Sequence, residues 1–320
     1  MKIFYIPSGA GFFHDPIDEA IIQTLKELNI ETHIYNLVQT PNVDYLSILD
    51  NIKPDLVLTF YGARLQREIM ENIHNAGYKT AIWLVDDPYE IDNTVTFAIY
   101  FDYVFTIEEN CIPIYKNAGV KNVHWLPLGT LPSRFKPMNV ESKYHSDICI
   151  VGTAFNNRLE IVDTLADYLL SKNTKIIGRW WENLNNYQKL SSIIINQLIP
   201  PEEIVKYYNG AKININIHRI FNIFNQRNIP AQTPNNRTFD IAACSAFQLI
   251  DYREKLDQFY TPNEEIIIFQ NAADLMRKIE YYLTNETERK KIAQLAAEKT
   301  LKKHTFRHKI KKLINIIMNN

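Results

Sequence analysis

Short apolar runs without polar alternation recur through the chain, and they constrain the fold more than any other feature. KIFYIP at residues 2–7, DLVLTF at 55–60, TAIWLV at 80–85 and YVFTI at 103–107 are four of them. DICIVG at 147–152 and AFQLI at 246–250 repeat the pattern in the second half. A strand with one wet face alternates, whereas a strand apolar on both faces belongs to a parallel sheet covered by helices on either side. The stretches between the runs carry helical spacing. Ile17, Ala20, Ile21, Leu25 and Leu28 form one such face, with Asp15 as its cap, Pro16 at its first position, and Asp18 and Glu19 in its first turn. A second helix, 64–76, stops at Gly77. The alternation runs to NVHWLP and breaks over 127–146, where Pro127, Pro132 and Pro137 interrupt a stretch without period. It then restarts at DICIVG. The pattern predicts two Rossmann-like α/β domains, 1–130 and 147–305, with a linker over 127–146. In such sheets ligands bind at the carboxyl ends of the strands, which selects the loops that follow them.

At 320 residues, with 46% hydrophobic and 12% aromatic, the chain can bury two large cores. Its formal net charge of −1 gives no electrostatic basis for nucleic-acid or membrane binding. The basic stretch 289–312 is interrupted by Glu298 and preceded by Glu286 and Glu288, as a solvated helix face would be. Cys111, Cys149 and Cys244 lie far apart in apolar surroundings without CxxC spacing, the pattern of buried free thiols in a reducing compartment. MKIFYIP is too short for a signal peptide or membrane span, so a soluble cytoplasmic protein is expected, with no stable membrane insertion.

The richest stretch is PNNRTFDIAACSAFQLID, 234–251. Asparagines 235 and 236 can cap a helix whose small residues Ala242, Ala243 and Ala246 allow close packing on a sheet. The free N–H groups at such a helix start make an anion site. Arg237 adds charge there, and Asp240 lies three residues on, on the same face. Phosphate on the arginine and a sugar hydroxyl on the aspartate is one reading; a surface Arg–Asp pair is the other. VGTAFNNR offers a second anion position, with Gly152 and Thr153 after a strand and Arg158 in the next helix's first turn. His218 ends the strand KININIH and opens an irregular segment, 219–233. In the first half, the loop 8–16 contains Gly9, Gly11 and His14, and Asp86–Asp87 follows the strand AIWLV. These adjacent acids, or His14, suit a base or hydroxyl ligands, and a helix cap in a solvated turn is the alternative. No D-x-D at a strand end and no clustered His/Cys spacing indicates a metal site.

CIVGTAFNNRLEIVDTL, AKININIHR, NNRTFDIAAC followed by AFQLID, and EEIIIF resemble the C-terminal half of CgeB-type (YkvP-like) spore-maturation glycosyltransferases. WLVDDPYE, FDYVFTIEENCIPIYKNAG and VHWLPLG resemble that family's N-terminal half. The resemblance implies a GT-B glycosyltransferase: two Rossmann-like domains facing across a cleft, with helix 306–320 returning to the first domain. It implies a nucleotide-sugar donor, a UDP-sugar, with a carbohydrate or protein acceptor and no cofactor or metal. Gly152, Thr153, Arg158, Asn236, Arg237 and Asp240 would hold the donor, Asp240 on the ribose and the arginines on the diphosphate. His218 would lie near the donor sugar, and Asp87 and His14 would face the acceptor. The chain departs from the family pattern at Asp240, one methylene shorter than the usual glutamate, and at Ser245, which replaces a glycine. Thr153 replaces a common arginine, and Gln232 stands where wider GT-B relatives carry a glutamate. A catalytically silent nucleotide-sugar- or glycan-binding protein of the same fold is the alternative.

Overall fold

The computed structural model describes residues 1–11, 14–220 and 224–319. The chain forms two units, one holding Met1–Leu128, Asn222–Thr233 and Phe306–Asn320, the other Gly129–Phe221 and Pro234–Thr305. Among the described residues each unit is built on one six-stranded, wholly parallel sheet.

The first unit runs β1 (Lys2–Ile6), α1 (Asp15–Glu27), β2 (Glu31–Ile34), α2 (Tyr45–Ile52), β3 (Leu56–Phe60) and α3 (Arg67–Asn75). It continues through β4 (Thr80–Leu84), α4 (Ile91–Ala98), β5 (Tyr103–Thr106), α5 (Ile112–Asn117) and β6 (Asn122–Trp125). The strand order β2-β1-β3-β4-β5-β6 reverses direction between β1 and β3, and that switch point opens a crevice at their carboxyl ends. Every residue of β3 and β4 is buried, as continuous apolar runs require. At the start of α1, His14 occupies the cap position without a side-chain bond, and Asp15 lies in the first turn.

The second unit runs β7 (Ser146–Val151), α6 (Asn156–Thr164), α7 (Ala166–Leu170), β8 (Thr174–Ile177), α8 (Tyr187–Leu190) and β9 (Ile194–Ile195). Then follow α9 (Pro201–Gly210), β10 (Ala211–Asn216), α10 (Asn236–Ala243), β11 (Gln248–Asp251), β12 (Ile267–Phe269), α11 (Ala272–Thr284) and α12 (Glu286–Lys303). Its order β12-β11-β10-β7-β8-β9 places the switch point between β7 and β10. Among the described residues no helix is long and apolar enough to cross a membrane.

Two features differ from the expected division. The stretch 127–146 is no free linker: Phe135 and Tyr144 are buried in a second-unit cluster with Val205, Tyr207 and Tyr208, and Thr130 N–H donates to His304 O. Its apolar side chains, invisible to a search for period, hold it down. The other difference is the segment 224–233, which leaves the second unit after β10 and folds with the first. Glu108, buried, accepts the N–H groups of Gln232 and Thr233 at 3.0 Å each, and Asp92 pairs with Arg227 at 3.2 Å.

The closing helix α13 (Phe306–Met318) packs on α1 in the first unit, burying Phe306, Ile310, Leu313 and Ile317, with Phe306 edge-on to Trp83. Removing a fully buried leucine side chain costs about 2–5 kcal/mol. Leu313→Ala is therefore expected to lower the urea midpoint of the first unit's unfolding transition by that equivalent; an unchanged midpoint would show that α13 contributes nothing there.

Candidate active site

At the switch point of the second sheet, β7 runs into Gly152, whose φ of +151° favours glycine. A β-carbon there would lie 2.8 Å from Arg158 Nη1 and 2.9 Å from Arg237 Nη2, so two guanidinium groups converge on this bare backbone. Arg158 is buried. Its Nε and Nη2 donate to Ile217 O at 3.0 and 2.7 Å, and its Nη1 donates to Thr153 O at 2.6 Å. It braces the ends of β7 and β10, and its charge lies beneath Gly152.

Arg237 is held differently. Its recorded bond runs from Nη1 to Asn216 Oδ1 at 3.3 Å, and no ion pair joins it to Asp240. Asn235 caps α10, its Oδ1 accepting Thr238 N–H at 3.1 Å, and its Nδ2 donates to Asn216 Oδ1 at 2.9 Å. Asn216 Nδ2 donates in turn to Thr238 Oγ1 and Gln248 Oε1, at 3.0 and 3.1 Å. The surface-pair reading of Arg237 and Asp240 therefore does not hold. Asp240 is 7% exposed: Oδ2 accepts from Asn236 Nδ2 at 2.8 Å, and Oδ1 is buried without a hydrogen-bond partner. Burial pushes its carboxyl up to about 7, against the pull of the Thr130 hydroxyl, Arg237 and Arg134. Asn236 Oδ1 is likewise buried without a partner.

His218, just beyond β10, is buried, and its Nδ1 and backbone N–H both reach Asp251 Oδ1, at 2.6 and 2.8 Å. Burial pushes the imidazole pKa down despite Asp251, while the histidine interactions outweigh burial and hold Asp251 below its ordinary range. The pair is thus a neutral ring donating Nδ1–H to a carboxylate, which leaves Nε2 a bare acceptor, buried and without a partner. Trp180, 41% exposed beyond β8, adds an aromatic face.

In the first unit the switch point brings His14, Tyr61 and Asp86 together. His14 Nε2 lies 3.2 Å from Asp86 Oδ2, and its ring centroid is 4.3 Å from that of Tyr61, tilted by 31°. With Nε2 directed to the carboxylate, Nδ1 is the atom without a partner. Residues 12 and 13 of the same loop lie outside the described residues. Asp87, expected to face the acceptor, does not share this site. It is wholly buried and accepts hydrogen bonds from Thr106 Oγ1 at 2.6 Å, Tyr115 OH at 2.8 and 2.9 Å and Thr94 Oγ1 at 3.3 Å. Among the described residues no group of three His, Cys, Asp or Glu side chains is placed to hold a metal ion.

Compared with known proteins, the chain is 30% identical to spore protein CgeB of Bacillus subtilis (strain 168) over 312 residues, 96% of this chain and 95% of that one. The chain belongs to the CgeB family. Residues 158–315 also match the family model described as glycosyl transferase-like. Solved structures of the same fold include sucrose-phosphate synthase from Thermosynechococcus elongatus, 12% identical with a TM-score of 0.69, and Anabaena HepE in complex with UDP-glucose, 9% identical with 0.67; each match spans 100% of both chains. AviGT4, a glycosyltransferase of avilamycin A biosynthesis, aligns at 9% identity and a TM-score of 0.64 over 99% of this chain and 97% of its own. This CgeB-family chain is a glycosyltransferase of the GT-B fold.

Sequence reasoning missed Asn216 and Asp251 as members of the site, and of the adjacent acids Asp86 and Asp87 it chose the second. Asp251 closes the very stretch that drew attention, but its partner lies 33 residues earlier on the neighbouring strand. Asp87 yields a stability test. Burial raises its pKa to about 6, against its three hydroxyl partners, from an unfolded value of about 3.9. A raised carboxyl binds more protons folded than unfolded, so its contribution to stability falls as pH rises between those values. Melting temperatures of the parent and Asp87→Asn across that window should converge as pH rises from about 4 to about 6. A constant difference would count against the raised value.

Proposed function

We propose that the protein transfers a sugar from a UDP-sugar to a carbohydrate or protein acceptor without a resident metal. The observation that carries this reading is the pair of guanidinium groups converging on Gly152 at the second unit's switch point. A diphosphate fits there, with Arg237 and the N-terminus of α10 as direct donors and Arg158 as a fixed charge beneath the loop of Gly152 and Thr153. The orphan oxygens of Asp240 and Asn236 lie on the first turns of the same helix, where ribose hydroxyls satisfy them. Trp180 offers a stacking face for the base. HepE, with the same fold, is known in complex with UDP-glucose, which supports the choice of UDP.

In the reaction the bond between the anomeric carbon and the β-phosphate oxygen breaks, and UDP leaves with the electron pair. The acceptor oxygen bonds to that carbon. Positive side chains and helix N–H groups stabilise the charge gathering on the leaving phosphate, the role a metal ion fills elsewhere. His218 Nε2, left bare because burial keeps the ring neutral and the Asp251 bond takes the Nδ1 proton, accepts a hydrogen bond from a donor-sugar hydroxyl. As the base that takes the acceptor proton we propose His14 through Nδ1, with Asp86 beside its Nε2 in the first unit. The three buried, free cysteines support a reducing, cytoplasmic setting.

A charge-assisted hydrogen bond contributes roughly 1.5–3 kcal/mol. Arg237→Ala should weaken UDP binding by about one to two powers of ten and leave uridine nearly untouched, whereas Asp240→Asn should weaken both. Parent-like UDP affinity in both variants would remove the donor-site assignment. Because Asp240 has a raised pKa of about 7, and ribose hydroxyls would favour its ionised form, uridine should bind more tightly as pH rises through 7, with proton release. Asp240→Asn should flatten that dependence in calorimetric titrations. Transfer should also persist in excess chelator; loss restored by magnesium or manganese would mean that a metal takes part.

A further inference from the structure

At the amino-terminal ends of β10 and β11, the end of the sheet opposite Gly152 and His218, the second unit carries an open cavity of about 570 Å³. Its lining includes Arg289, Lys290 and Lys212 and not one aspartate or glutamate. Arg289 is the unusual member. It is 7% exposed, and its recorded hydrogen bond is a single one, from Nη1 to Tyr282 O near the end of α11. Among the described residues no carboxylate lies within ion-pair distance of it. Glu286, one turn earlier on α12, is engaged by Lys290 at 2.5 Å, and Lys212 pairs with Asp147 at 2.7 Å. A guanidinium has five N–H donors, and Glu286 acts on this one only from beyond ion-pair distance. Holding the carbonyl at the end of α11 is a structural use for one of those donors and leaves the others unexplained.

The cavity's remaining surface is mixed. Met138, Phe247 and Ala293 give it an apolar wall, and Ser245 contributes a residue held at φ +51°, in the left-handed region that favours glycine. The volume exceeds what a bare phosphate fills. We infer that this cavity is a second ligand site, in which Arg289 takes the anionic oxygens of a phosphate or carboxylate carried on a small organic body. Lys290 and Lys212 stand at the same cavity, and their surface ion pairs are of the weak, exchangeable kind. Lying at the other end of the strands, the site stands or falls independently of the donor reading.

The test follows the side-chain Nε–H resonance of Arg289 in ¹H–¹⁵N spectra of the full chain, titrated separately with inorganic phosphate and with citrate at constant ionic strength. The resonance is assigned by its absence in Arg289→Lys. A saturable shift with either anion, accompanied by the amides of Ser245, Ala246 and Phe247, is the expected result. Phosphate alone would identify a phosphoryl ligand, and citrate alone a carboxylate. The shift should survive in Arg237→Ala, which removes the cation at the other end of the sheet. Arg289→Lys, which keeps the charge but loses the planar fork, should bind about tenfold more weakly when followed by the same amides. Absence of a saturable shift with both anions, or its loss in Arg237→Ala, would overturn the proposal. So would parent-like affinity in Arg289→Lys; should that variant fail to fold, the titrations of the parent and Arg237→Ala decide.

Discussion

One buried amide holds the second unit's site together. Asn216, at the carboxyl end of β10 and without exposed surface, uses all four of its hydrogen-bonding positions. Oδ1 accepts from Asn235 and Arg237, and Nδ2 donates to Thr238 and Gln248. The four partners come from the cap and first turn of α10 and from β11, so one side chain sets the height and rotation of the helix above its sheet. Gln248 completes the lattice by donating to Thr238 O at 2.9 Å. A network of this kind rigidifies a site only when every member is satisfied, and these members are. What α10 presents outward then follows from its attachment. The free N–H groups of its first turn, the Arg237 guanidinium and the Asp240 carboxyl all have their positions set by a residue that touches no ligand.

The choice of a neutral amide under Arg237 has an electrostatic consequence. A carboxylate in that place would cancel the guanidinium charge and compete with any incoming anion; an amide oxygen orients the group and leaves its charge intact. The contrast between two buried acids carries the same logic further. Asp87 and Asp240 are both enclosed, and burial raises both, to about 6 and about 7. Asp87 has hydroxyl donors on both oxygens and no unmet capacity, as a structural acid in a protein core should. Asp240 has a single side-chain amide on Oδ2 and the Thr130 hydroxyl nearby, and its Oδ1 has no well-aligned partner. An orphan acceptor in a low-dielectric site is unfavourable, and the ribose proposed here would supply the missing donor. Degree of burial does not separate the two acids. Hydrogen-bond completeness does.

The sheets were legible because their signal is local. Strands buried on both faces are apolar along most of their length, so β3, β4 and the 148–151 run of β7 announce themselves in a short window of residues. Where the signal is not local, the reading failed. The stretch 127–146 has no period because it forms no long helix or strand, yet Phe135 and Tyr144 anchor it as firmly as a strand would. The segment 224–233 is assigned to the first unit by Glu108, which takes the N–H groups of residues 124 and 125 positions away. Nothing in the spacing of either stretch encodes that pairing, because backbone N–H groups look alike in every sequence.

The site shows the same division at finer grain. The asparagine cap, the arginine and the acid three residues on were readable because helical geometry fixes their relation within one turn. Asp86 and Asp87 were not separable, for the opposite reason. Neighbouring residues in a non-helical turn point in different directions, and the direction depends on what waits on each side. Here one side offers Thr106, Tyr115 and Thr94, drawn from β5, α5 and α4, and the other offers His14 from the loop after β1. Two carboxylates adjacent in sequence thereby acquire opposite roles, one enclosed in the core and one beside the histidine, and the sheet's topology makes the assignment. The same holds for His218. Its position at a strand end was visible, but its state, a neutral ring with Nε2 bare, depends on Asp251 ending the adjacent parallel strand at the matching height.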